Sequence, residues 1–170
     1  MFRQLLLVLF LFVSLFVSGQ QLVTQNGGHC YTLDVPEYMV KTYELNDVAT
    51  LQYQNASREA YVIVIEDPKD QLEDLGMHFI SASDFISSFI TDYKSESESR
   101  TATELTAFDE GPNHLAQAMI SWNDGEDAFY MLVTAVETET HFYKILCWSV
   151  NEHWEELKAD YYRLSRTLKD

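Results

Sequence analysis

The fold is decided by one apolar stretch near the C-terminus, Tyr143-Lys144-Ile145-Leu146-Cys147-Trp148-Ser149. Its length and its β-branched and aromatic residues are typical of a strand. Apolar residues occupy both of its alternating faces, and the segment from Phe129 to Val136 has the same property. An antiparallel strand with one face in water would instead alternate apolar and polar residues. The sequence therefore predicts a central sheet that is sandwiched between two covering layers.

The segment that follows predicts one of these covers. Its apolar residues recur at intervals of three and four, as on one face of a helix: Trp154, Leu157, Tyr161, Leu164 and Leu168. Acidic residues precede this pattern and basic residues end it, which suits the helix dipole. Ser149 or Asn151 is the expected N-cap.

The remaining elements precede this pair. We expect a hairpin of residues 48–54 and 60–65, then an amphipathic helix from Ser83 to Tyr93 with Ser83 as its N-cap, and then strands near residues 103–108, 115–122 and 129–136. The predicted fold class is α+β. It is an α/β/α sandwich with a central, mainly antiparallel sheet of about six or seven strands and the C-terminal helix packed on it.

This layout resembles the PsbP-like family. The resemblance is carried by residues 143–149 and by the acidic helix that ends in Tyr162-Arg163-Leu164-Ser165-Arg166-Thr167-Leu168-Lys169, within the order hairpin, helix, meander and helix. It covers about residues 30–169. It implies an α/β/α sandwich, the fold shared by an extrinsic photosystem II protein, a Ran-binding nuclear transport factor and many small exported bacterial proteins. Most characterised members are binding or assembly modules, so the resemblance implies a non-enzymatic role. No site residue of the family can be matched here.

The first 19 residues are typical of a secretory signal peptide. A short basic start precedes an apolar run from Leu5 to Val17, and small residues then lead to an expected cleavage site before Gln20. A membrane anchor is the alternative, but it needs about 20 apolar residues. We therefore expect an exported protein, periplasmic or secreted, with no stable membrane anchor after cleavage. Residues 20–28 are expected to form a flexible lead-in, and residues 29–170 a single PsbP-like domain.

The charge of the chain limits its partners. The 170 residues include 27 acids and 11 bases, for a net charge of −16. Nucleic acid phosphates and anionic lipids repel such a chain, so we expect no nucleic acid partner. The acidity itself indicates solubility first, and a cation or a basic protein second. The expected partner is a protein of unknown identity.

Cys30 and Cys147 are the only cysteines. In an exported chain they are candidates for a disulfide, which could stabilise the fold by up to about 4.7 kcal/mol for a loop of about 100 residues. The alternative is that both are free, with Cys147 buried in its apolar strand. The sequence leaves the two alternatives open.

No recognised chemical motif accompanies these elements. The five histidines lack metal-ligand spacing, no nucleophile elbow or phosphate loop is present, and we expect neither a metal nor another cofactor. The acids of residues 123–127 are explained by a hairpin turn rather than a calcium loop. Apolar residues after Pro36 form a candidate binding edge made of Tyr38, Met39 and Tyr43.

The leading hypothesis is a non-enzymatic exported binding or assembly module of unknown ligand. The alternative is a small extracytoplasmic hydrolase that uses acidic residues in a cleft, and a third hypothesis is an acidic protein that buffers cations. A groove of convergent carboxylates with raised pKa values would favour the enzyme, whereas an apolar edge would favour binding.

Overall fold

The computed structural model describes residues 20–28 and 30–170, so the predicted signal peptide lies outside the described residues. The described chain contains ten strands: β1 (Leu22–Gly27), β2 (Tyr31–Pro36), β3 (Val40–Lys41), β4 (Leu51–Asn55), β5 (Ala60–Pro68), β6 (Thr101–Ala102), β7 (Thr106–Glu110), β8 (Asn113–Asp124), β9 (Asp127–Glu137) and β10 (His141–Val150). Its α-helices are α1 (Lys69–Asp74), α2 (Ala82–Asp92) and α3 (Asn151–Leu164).

The main sheet has eight strands in the order β3-β4-β5-β10-β9-β8-β6, with β7 also paired to β8. Each pairing in it is antiparallel. The prediction of a mainly antiparallel sheet is confirmed. The strand count exceeds the expected six or seven because β3 and β6 are two residues long, too short to show an alternating pattern.

Both faces of the sheet are covered, as the two apolar faces of β9 and β10 predict. On one face α3 and β2 pack against the sheet in a core that includes Leu33, Tyr143 and Leu157. On the other face α2 packs in a core that includes Ile86 and Leu146. The α/β/α arrangement predicted from residues 143–149 is therefore confirmed.

The segment predicted as a flexible lead-in is ordered. Residues 22–27 form β1, which pairs along its whole length with β2 from Leu22↔Pro36 to Gly27↔Tyr31. The prediction was wrong because backbone hydrogen bonds hold this polar strand, and a composition signal does not register them. β2 belongs to this hairpin rather than to the main sheet.

The helix boundaries differ from the expected ones by a few residues. Helix α2 is capped by Ser81, whose side chain accepts a hydrogen bond from the Asp84 amide, rather than by Ser83. The N-cap of α3 is Val150, without a side-chain cap, and the helix ends at Leu164. Leu168 is nevertheless buried, because the chain beyond the helix continues across the same core.

None of the helices within residues 20–28 and 30–170 has the length and apolar character that a membrane crossing requires.

Candidate functional site

Three side chains with different donor atoms converge between the N-terminal hairpin and the main sheet. Cys30 Sγ lies 3.5 Å from Glu66 Oε1 and 3.9 Å from His141 Nε2. The Glu66 oxygen and the His141 nitrogen are 3.8 Å apart. We call Cys30, Glu66 and His141 the Cys30 cluster. Its thiol, carboxylate and imidazole donor atoms are close enough together to contact one bound ion.

The register of the sheet places two members of this cluster on one face. Glu66 of β5 is the cross-strand partner of Tyr143 on β10, so both side chains point to the same face. His141 lies two residues before Tyr143 and shares that face. The His141 and Tyr143 rings stack, with centroids 5.5 Å apart, and the Tyr143 hydroxyl lies 3.5 Å from Cys30 Sγ.

Two glycines let the hairpin tip approach this face. A Cβ atom on Gly27 would collide with the Tyr31 ring, and one on Gly28 would collide with Glu66 Oε2. Gly28 also has φ +52, a conformation that favours glycine. Because Gly27 and Gly28 have no side chains, the hairpin can approach closely enough for Cys30 to contact the sheet.

A second carboxylate, that of Asp170, orients the His141 ring from the side opposite Cys30 and Glu66. Asp170 Oδ2 lies 3.4 Å from His141 Nδ1, the ring nitrogen opposite the cluster. The hydroxyls of Thr138 and Thr140 donate hydrogen bonds to this oxygen over 2.6 and 3.2 Å. Burial by itself would raise the pKa of Asp170, but these hydrogen bonds and His141 outweigh it and lower the pKa.

The thiol is held in its protonated form. Cys30 as a residue is exposed, but its Sγ points inward to Tyr143 and Glu66. Desolvation raises the pKa of the Cys30 thiol, and the Glu66 carboxylate adds to the rise against an opposing hydrogen bond with Tyr143. A reactive cysteine nucleophile requires the opposite shift.

A surface cavity of about 650 Å³ lies near the cluster and is lined in part by Asp170, the carboxylate that contacts His141. Glu137 and Glu139 also line the cavity. Glu137 Oε1 lies 3.0 Å from Lys69 Nζ, and Oε2 accepts a hydrogen bond from the Ala82 amide. Asp170 and Glu137 are thus both engaged in structural contacts.

Comparisons with known proteins identify the fold. No protein family model matches this sequence, and no curated protein matches it. Among solved structures, cyanobacterial PsbP (CyanoP) from Synechocystis sp. PCC 6803 is similar to this chain with a TM-score of 0.62 and 16% identity, covering 91% of this chain and 95% of that one. The chain has a PsbP-like fold.

Two further solved structures share the PsbP-like fold. LpqN from Mycobacterium tuberculosis, described as involved in cell envelope biogenesis, has a TM-score of 0.59 at 10% identity over 88% of this chain and 90% of that one. A protein of unknown function from Pseudomonas aeruginosa has a TM-score of 0.52 at 8% identity, over 89% and 98%. At these identities the likeness concerns the fold.

The candidate disulfide is absent from this PsbP-like domain. Cys30 and Cys147 are both free. The Cys30 sulfur contacts the Tyr143 hydroxyl. Tyr143 lies four residues before Cys147 on β10, so these two residues are about 13 Å apart along the strand. A disulfide requires Cα atoms within about 7 Å, so the two cysteines cannot bond without a large backbone movement. Cys147 is buried in the core, as the alternative prediction stated.

The candidate binding edge is only partly exposed. Met39 is 6% exposed and belongs to the core. Tyr38 is half-buried, and its hydroxyl donates a hydrogen bond to Asp160. Tyr43 is 75% exposed, so it alone of the three presents a large accessible side chain. Met39 was misassigned because it lies beside a two-residue strand without an alternating pattern.

The acids of residues 123–127 lie where a turn was predicted. β8 and β9 pair up to Asp124 and Asp127, and Gly125 adopts φ +65 in the connection. Sequence reasoning missed the Cys30 cluster because 36 and 111 residues separate Cys30 from Glu66 and His141. The signal that could have found it is the pairing of two predicted strands, β5 and β10, in their actual register.

Proposed function

We propose that this chain is a non-enzymatic binding module that acts outside the cytoplasm and binds a protein partner. Export is supported by the signal-like residues 1–19. A role at the envelope is also in keeping with LpqN, whose fold is similar and which is described as involved in cell envelope biogenesis. The fold likeness suggests this role by analogy only.

The proposal rests on Asp170 and Glu137, two of the carboxylates that line the cavity. A hydrolase that uses acidic residues needs a carboxylic acid with a raised pKa that faces a second carboxylate. In the cavity beside the Cys30 cluster, the pKa of Asp170 is lowered, and both oxygens of Glu137 are engaged by Lys69 and Ala82. Neither group is arranged to donate a proton to a substrate.

The proposed docking surface is the free edge of β3. Three apolar side chains in this region are strongly exposed: Val40 at 61%, Tyr43 at 75% and Val48 at 67%. β3 is the edge strand of the main sheet and pairs with β4 on one side. The Thr42 amide donates a hydrogen bond to the Gln52 carbonyl, so the backbone of Thr42 faces β4. Successive residues of an antiparallel strand point their N–H and C=O groups to opposite sides, so those of Lys41 point away from β4.

The partner is an extended, basic segment of a protein. An edge strand with outward backbone groups accepts another strand, and alternate side chains then supply the specificity. Exposed Glu44 and Asp47 lie in the loop beside these apolar residues, and the whole chain carries a net charge of −16. Such a surface attracts basic partners and repels acidic ones.

Site-specific photo-crosslinking in the envelope fraction tests this proposal. A photoreactive residue replaces Tyr43 in the exported chain, and the crosslinked peptide is identified. The expected result is a peptide rich in Lys and Arg, whose yield falls with added salt. Lys41→Pro, which removes the outward amide, should abolish the crosslink, whereas Lys41→Ala should preserve it.

A matched control uses Tyr162 on α3, which is 39% exposed on a different element. The same photoreactive residue there should not capture the same peptide. The proposal is wrong if the crosslinked peptide is acidic, if Lys41→Pro and Lys41→Ala behave alike, or if the purified protein hydrolyses any substrate of a glycoside and ester panel.

A further inference from the structure

The Cys30 cluster has the composition and size of a metal site. We propose that Cys30 Sγ, Glu66 Oε1 and His141 Nε2 bind one divalent cation of the zinc class, and that Asp170 positions His141 for this role. The site lies away from the β3 edge and does not depend on the protein partner proposed there. Its function would be to hold the N-terminal hairpin on the main sheet.

The distances between the donor atoms are within about 0.3 Å of those in a zinc centre. Tetrahedral zinc with bonds of about 2.3 Å to sulfur and about 2.0–2.2 Å to nitrogen and oxygen places its ligand atoms about 3.4–3.6 Å apart. The three separations in the cluster are 3.5, 3.8 and 3.9 Å. The equidistant point in the plane of these three atoms lies about 2.2 Å from each, so a cation just above this plane has normal bond lengths for zinc.

The donor set selects the class of cation. A thiolate together with an imidazole suits zinc and similar borderline-soft metals, whereas calcium and magnesium take oxygen ligands. When the metal binds, the Sγ–metal bond forms and the thiol proton leaves to solvent. The three protein ligands leave a fourth position for water or for a group of a partner.

The surroundings of His141 support the same role. The ring nitrogen that would bind the metal, Nε2, faces the thiol, while Nδ1 faces Asp170 and the Thr140 hydroxyl at 3.4 and 2.7 Å. A carboxylate behind a histidine fixes the tautomer that leaves the metal-facing nitrogen unprotonated, and this arrangement recurs at metal centres. Thr138 and Thr140 in turn hold Asp170.

An independent observation concerns the second oxygen of Glu66. Oε2 is buried, and within the described part of the chain it has no hydrogen-bond partner. A buried carboxylate oxygen without a partner is destabilising. A cation bound at Oε1 would neutralise this carboxylate, which otherwise lies near Asp170 with His141 between them. The site thus compensates a charge that the protein groups leave unbalanced.

Cobalt substitution tests the proposal directly. The protein is purified without a tag next to Asp170, because this carboxylate contacts His141, and is then stripped with a chelator and kept reduced by a phosphine. Titration with Co²⁺ should saturate at one equivalent. It should produce a near-ultraviolet thiolate-to-cobalt charge-transfer band, and Zn²⁺ should displace the cobalt and remove the band.

Variants assign the ligands. Cys30→Ser should abolish the charge-transfer band, and Glu66→Gln and His141→Ala should weaken cobalt binding at least about tenfold. Asp170→Asn should retain the band but weaken the affinity for cobalt about 10- to 100-fold, as is usual when a residue that hydrogen-bonds to a metal ligand is replaced. Circular dichroism establishes that each variant is folded.

The matched control is His114→Ala. His114 Nδ1 also lies against a carboxylate, 2.6 Å from Asp109, but this pair is separate from the thiol of the Cys30 cluster, so its loss should leave binding unchanged. As a second measurement, Zn²⁺ should slow the alkylation of Cys30 by iodoacetamide at least tenfold. The proposal is overturned if reduced, folded protein gives no charge-transfer band, if the band survives in Cys30→Ser, or if Zn²⁺ leaves the alkylation rate unchanged.

Discussion

The backbones of Thr32 and Lys169 exchange two hydrogen bonds. The Thr32 amide donates to the Lys169 carbonyl over 2.8 Å, and the Lys169 amide donates to the Thr32 carbonyl over 3.0 Å. This bridge joins the end of the chain to the N-terminal hairpin. It also lies between two parts of the candidate site, because Cys30 precedes Thr32 by two residues and Asp170 follows Lys169 directly.

Lys169→Pro removes the amide of this bridge while Lys169→Ala keeps it. We expect the proline variant to lower the free energy of unfolding by about 1–2 kcal/mol, because one backbone hydrogen bond is lost and a carbonyl loses its donor. The alanine variant should stay within about 0.5 kcal/mol of the parent, since the Lys169 side chain is exposed. Urea denaturation measures both, and equal losses in the two variants would contradict this account of the bridge.

Gly28→Ala and Gly111→Ala separate backbone strain from collision. Both glycines have positive φ, at +52 and +58, so each alanine should lower the free energy of unfolding by about 1 kcal/mol. A Cβ on Gly111 has no neighbour within 4 Å, whereas one on Gly28 collides with Glu66. Gly28→Ala should therefore be destabilising by about 1 kcal/mol more. Thermal or urea unfolding distinguishes them, and similar values would mean that Glu66 moves aside without resistance.

Two isoleucines near α2 test the second cover of the sheet. Ile86 is fully buried between α2 and the sheet, and Ile80 is 90% exposed just before the helix. Ile86→Ala should lower the free energy of unfolding by about 2–5 kcal/mol through the cavity it leaves. Ile80→Ala should change it by less than about 0.5 kcal/mol. If the two losses are alike, α2 does not cover the sheet as described.

The layer arrangement could be predicted because it depends on patterns within single strands. Two apolar faces on residues 143–149 require two covers, and α2 and α3 supply them. The end of α3 could not be predicted, because Leu168 continues the helical spacing although the helix stops at Leu164. β1 could not be predicted because its polar residues show no strand pattern, and the strand is formed by backbone pairing with β2.

The Cys30 cluster shows a different limit. Its members lie in three distant parts of the sequence, and only the register of β5 against β10 and the closure of the N-terminal hairpin bring them together. Each residue by itself has an ordinary explanation: an acid near the end of a strand, one histidine among five, and a cysteine that follows soon after two glycines. Local spacing contains no information about such a site, since the contacts depend on long-range pairing.

Cys147 gives a prediction for alkaline pH. Complete burial raises the pKa of the Cys147 thiol well above its usual range. In the unfolded chain the thiol ionises near pH 8.5, so its contribution to stability is fully present below that pH and is lost as the pH rises toward the raised folded value. Between pH 7 and pH 10 this group should lower the free energy of unfolding by about 2 kcal/mol.

Cys147→Ala isolates this contribution from that of the tyrosines, whose usual pKa is near 10. The variant should be less stable than the parent at pH 7, because a buried sulfur is lost, but its stability should fall by about 2 kcal/mol less between pH 7 and pH 10. Urea denaturation at pH 7, 8.5 and 10 measures both series. Parallel pH profiles for the parent and Cys147→Ala would show that the thiol ionises in the folded protein as readily as in the unfolded chain, against its burial in the core.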